Sequence, residues 1–108
     1  MAEMTDAQKQ HLKELADSAH EKELTLELNR LYAKFQKWKE NKITSADLNE
    51  ALRQYHNDTA NEIYQTYVLV SDPREAVAKA IVNSILSISD VNADCQPLLE
   101  GIIAFYRE

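Results

Sequence analysis

This chain is expected to fold as an all-α protein, a small bundle of five helices, or six if a long first helix breaks. Three observations predict it. Leu24, Leu28, Leu31, Phe35 and Trp38 recur at spacings of four, three, four and three, which makes one stripe along a helix and fits no strand. One Gly and two Pro in 108 residues leave little material for tight hairpin turns. Helix-start signals recur at Thr44, Thr59 and Asp72, each followed three residues later by a carboxylate.

The first helix starts near Asp6. Its early part carries a narrower stripe, Leu12, Leu15, Ala16 and Ala19, which is out of phase with the later one because the phase-continuing positions Asp17 and Glu21 are acidic. The register changes near His20 to Glu23. A single helix from Asp6 to Asn41 would run about 54 Å, against roughly 35 Å for the diameter of a compact chain of this length. The helix therefore either breaks near residue 20 or projects its first five turns. On this reading the chain divides into an N-terminal helical extension over 1–22, acting as an assembly arm, and a bundle core over 23–108. Leu12, Leu15 and Ala19 would form the interaction surface of the arm.

The stretch "ENKIT" reads as a tight corner. Asn41 suits the left-handed residue that ends a helix. Thr44 and Asp47 can cap reciprocally, with Ile43 meeting Leu48 as a hydrophobic staple. The helix so opened runs to about Tyr55. Thr59 with Glu62 reads as the capping box of another, carrying Ile63, Tyr64, Tyr67 and Val68. Asp72, Pro73 and Glu75 open a fourth, with Val77, Ala80, Ile81 and Ile85 inward. "SISDVNAD" is a turn region. Pro97 then sits in the first turn of a last helix that is apolar over a wide arc, from Leu98 and Leu99 through Ile102, Ile103, Phe105 and Tyr106.

Around Asn41, Ile43 and Asp47 the chain resembles the tail of an EF-hand loop, and the likeness covers about a dozen residues. The early ligand positions of such a loop fall on Gln36, Trp38 and Glu40, and a Trp supplies no oxygen to a cation that needs six to eight. The second partial match, "DVNADCQPLLEG", places Asp90, Asn92 and Asp94 at alternate positions but has Cys95, Pro97 and Gly101 where the loop needs glycine, isoleucine and glutamate. No metal and no cofactor are expected.

Chemistry-bearing residues are few. Of His11, His20 and His56, His20 shares a helix face with Asp17, yet no second carboxylate-x-x-His exists to complete a bundle metal site. "QYHNDTANE" is the most polar corner and would place Tyr55, His56, Asp58 and Glu62 around one inter-helix turn, where a general acid-base pair or a ligand site could be built. Cys95 has acidic neighbours and no nearby His in sequence, so it reads as a small structural residue. Gly101 is the only glycine, which excludes glycine-rich phosphate loops.

The net charge of −6 is unevenly placed. Residues 1–43 hold eight basic and eight acidic side chains, whereas 44–108 hold four and ten. The acidic part repels phosphate backbones, which weighs against nucleic-acid binding. Arg30, Lys34 and Lys37 rim the Leu31–Phe35–Trp38 stripe, a position where long side chains lie along apolar surface. A helix-turn-helix reading of "WKENKITSADLNEALRQ" meets Asp47 and Glu50 against Arg53 alone on its second helix, a poor charge for a groove. "MAEMTDAQKQ" lacks the apolar stretch of a secretion signal, and "YVLV" and "IIAFY" are too short to span a bilayer. A cytoplasmic protein that does not contact the membrane is expected.

These residues carry no signature of a named activity. The function they favour is a non-enzymatic protein-protein interaction or homo-oligomerisation module, whose partner is itself or another protein. The alternative is a small-ligand or metal-binding bundle centred on His56, Asp58 and Glu62.

Overall fold

The computed structural model describes residues 4–70 and 72–107, and among them every regular element is helical. Helix α1 spans Asp6–Lys39 without a break, α2 Ser45–Gln54, α3 Ala60–Tyr64, α4 Pro73–Val82 and α5 Gln96–Arg107. Thr5 opens α1 through a capping box with Gln8, the Thr hydroxyl accepting the Gln8 N–H while the Gln8 amide oxygen accepts that of Thr5. At its far end Asn41 takes φ 61°. The Lys42 N–H bonds the Lys37 carbonyl at 2.8 Å and the Asn41 N–H that of Trp38 at 3.0 Å, so the corner is a Schellman turn. Thr44 and Asp47 then cap α2 reciprocally, as the sequence predicts.

The start expected at Thr59 does not form. Thr59 has helical angles of φ −65° and ψ −51°, and its side chain caps nothing. The backbone runs on as one rod from residue 45 to 69, with π-helical turns at Tyr55–Thr59 and Gln65–Leu69 flanking α3. In the first of these the Ala60 N–H reaches back five residues to the Tyr55 carbonyl. The cause lies in the apolar spacing. Leu48, Ala51 and Tyr55 are the inward positions of a regular helix, whose next ones would be Thr59 and Glu62. A π turn holds one extra residue and rotates the helix beyond it by about 100°. That brings Ile63 inward in place of Glu62. The described residues accordingly form four rods, where five or six were expected.

Asp72 caps α4, its carboxylate accepting the Arg74 N–H at 3.0 Å, with Pro73 at the first helical position. This helix ends in a second Schellman turn through Ser84, at φ 62°, with the Ile85 N–H on the Ala80 carbonyl. Ile85 therefore lies beyond the helix that was expected to carry it. A short 3₁₀ turn, Ile88–Asp90, leads to α5.

The main core draws Leu12 and Ala19 from α1, Val77, Ala80 and Ile81 from α4, Leu86, Val91 and Cys95 from the connection, and Leu99 and Ile103 from α5. These elements make a compact head. Leu48 and Ile63 are buried separately, in the seam between α1 and the second rod. The molecule measures 56 × 26 × 22 Å. Its radius of gyration is 17.0 Å, where about 13 Å is usual for this length. The projecting part is not the first half of α1: Leu12 and Ala19 are fully buried, and it is the second half, paired with α2, that stands out as a helical hairpin. Small Ala16 and Ala19 let α1 settle onto the head, where Ala76 and Ala80 of α4 are buried. The bulkier Leu24–Trp38 stripe has only one rod to cover it.

Candidate functional site

The residues selected from sequence fall in two places. Leu12 and Ala19 face the head, and Leu15 packs half-buried against the same core. In this fold Leu12 and Ala19 are taken up wholly by the core of the monomer. Tyr55 is half-buried in the first π turn, while His56, Asp58 and Glu62 are exposed along the rod. The inter-helix turn that was to gather them is absent. Two residues apart on a helical backbone, His56 and Asp58 point to opposite sides. Among the described residues no group of three or more His, Cys, Asp and Glu is arranged to hold a metal ion.

The two EF-hand-like windows are occupied by structural bonds. Asp47 is held below the usual carboxylate range by the Thr44 backbone N–H and hydroxyl. In the other window Asp90 caps Ser87, and the backbone and side chain of Asp94 accept from the Gln8 amide. The Asn92 N–H donates to His11 Nε2 at 3.0 Å. Cys95 is buried, and desolvation, aided by the Asp94 charge, pushes its thiol up.

Sequence reasoning did not anticipate how hairpin and head are joined. His20 stacks on Tyr67 with ring centroids 5.1 Å apart, and the Tyr67 hydroxyl donates to Glu23 Oε1 at 2.8 Å. These contacts fix the second rod to α1 at the point where the hairpin leaves the head. At the other end, Trp38 Nε1 donates to Ser45 Oγ at 3.0 Å across the corner. The hairpin is thus pinned at both ends.

Between those pins one flank of the hairpin carries exposed apolar side chains. Leu28 is 51% exposed, Tyr32 62% and Phe35 40%. Their spacing of four and three puts them on one flank of α1. Leu52 on α2 and Tyr64 on α3 are exposed as well. Arg30 pairs with Glu27, and Lys42 with Glu40 at 3.1 Å, whereas Lys34, Lys37 and Lys39 extend into solvent. The signal was present in the sequence: the best stripe is wider than one neighbouring helix can cover. No helix among the described residues is long and apolar enough to cross a membrane. Comparison with protein-family models, with curated proteins and with solved structures returned no match.

Proposed function

We propose that this chain is a non-enzymatic interaction module, whose contact surface is the flank of the projecting hairpin. The exposed stripe Leu28, Tyr32 and Phe35 carries the reading. A helix pair buries only its seam, and helical layers are stable when each apolar face meets another. Clustered apolar side chains on a protruding element are the usual mark of a contact surface. Aromatic residues supply much of the binding energy at such surfaces, and two of these three are aromatic.

A photoreactive phenylalanine analogue in place of Tyr32 tests this in the cells that make the protein. A discrete covalent adduct is expected from position 32, and none when the same analogue replaces Glu100, which is exposed on the head. Equal diffuse labelling from both positions, or none from either, would sink the proposal.

A further inference from the structure

We infer that the occupant of this flank is a second copy of the same chain, packed antiparallel so that the tip of each hairpin lies along the base of the other. The inference rests on the contact surface proposed above and names what covers it. Extended in both directions, the stripe runs through Glu21, Thr25, Leu28, Tyr32, Phe35 and Lys39, spaced by four, three, four, three and four, and all six are exposed. This is the a/d spacing of a coiled-coil seam. It is also self-complementary. When α1 is laid antiparallel on its own copy, centred midway between Leu28 and Tyr32, Leu28 meets Tyr32 of the second copy, Thr25 meets Phe35, and Glu21 meets Lys39. Two-fold symmetry makes every pairing twice. Apolar contacts fill the middle and opposite charges close both ends.

Three further observations fit a second copy. Residues 30–53, at the tip, carry six basic side chains against three acidic, while 17–29 and 54–69, at the base, carry one against six. Tip-to-base pairing joins opposite fields, and tip-to-tip pairing opposes like ones. Beside Thr25 lies a largely apolar hollow lined by Glu21, Lys22, Thr25, Leu26, Ser84 and Ile85. Antiparallel pairing brings Phe35 of the other copy to its edge. Finally, the chain exposes 7465 Å². A compact protein of 12.4 kDa exposes about 6,100 Å². The excess of roughly 1,300 Å² is more than the ~800 Å² that each partner gives to a standard interface. Two hairpins so joined form a four-helix bundle with a head at each end.

Sedimentation equilibrium of the full chain is expected to give twice the monomer mass at micromolar concentration. Glu21→Lys and Lys39→Glu each replace two ion pairs with two like-charge contacts, so each variant alone is expected to weaken the dimer about tenfold or more. Mixed in equal amounts they regain opposite charges at both ends, and the wild-type affinity should return as a heterodimer. Circular dichroism should show all these chains folded, since both positions are exposed. A wild-type chain that stays monomeric at about 100 μM, or a dimer that neither variant weakens, overturns the inference. An adduct from position 32 to some other protein, with the chain monomeric, overturns the second copy and leaves the contact surface standing. No adduct at all removes both.

Discussion

Tyr67 joins the two halves of the molecule through one ring and one hydroxyl, so its chemistry is coupled to the fold. Burial raises its phenol well above the usual value of 10.0, and the hydrogen bond to Glu23 and its charge push the same way. A raised pKa means that folding favours the neutral phenol. That contribution is fully present below the unfolded value near 10 and is lost as the pH rises through the folded one. Tyr106 is raised too, chiefly by donating to Glu75 at 2.6 Å. Both should ionise above the usual value of 10.0 when absorbance near 295 nm is followed against pH. Tyr67→Phe should cost about 1 kcal/mol at neutral pH, one hydrogen bond, and flatten the loss of stability above pH 10 in urea titrations. An unchanged alkaline slope would show that Tyr67 does not carry it. Single residues were unequally legible. Asn41 could be read as a left-handed corner because Asn tolerates positive φ, whereas Ser84, which does the same work after α4, gives no such signal, and the apolar spacing runs on past the end of the helix to Ile85.

Among the elements, caps could be read at Thr44 and Asp72, where an extended residue precedes a helix. Thr59 has the same local spelling and failed because phase decided the matter. A break and a one-residue slip both move the apolar stripe from Glu62 to Ile63, and only three-dimensional packing against α1 selects between them. The slip has a testable signature. Deleting Asn57 should turn the first π turn into ordinary α-helix while leaving Ile63 in the seam, so stability should stay within about 1 kcal/mol or rise. Deleting Asn49 from regular α2 should instead rotate Leu52, Tyr55 and Ile63 by about 100° relative to Leu48. Its expected cost is at least about 2 kcal/mol, the scale of one large apolar side chain losing its burial. Thermal melts of the two deletions check this, and equal losses would mean that the π turn is not a register device.

At the scale of the whole molecule, the all-α class and the starts of α2 and α4 could be read from the sequence, but not the number of rods or which half of α1 is inside. Periodicity ranks stripes by apolar bulk, and Leu24–Trp38 outranks Leu12–Ala19. Packing ranks them by how many neighbours they meet, and alanines admit closer ones. Leu12 makes the difference measurable. Fully buried, it should cost about 2–4 kcal/mol as Leu12→Ala, and removing residues 1–22 should unfold the head. Phe35→Ser should leave the melting of a monomeric sample nearly unchanged. The reverse order of sensitivity would restore the arm to residues 1–22. Cys95 adds a clock to this picture. The only sulfhydryl in the chain is buried in the head, in one cluster with Leu12 and Leu99, and a thiol reagent reaches it only when the head opens. Its alkylation rate therefore counts openings of the head alone, and it will tick at the same rate whether the hairpin is bare or covered unless binding at one end of the molecule steadies the other.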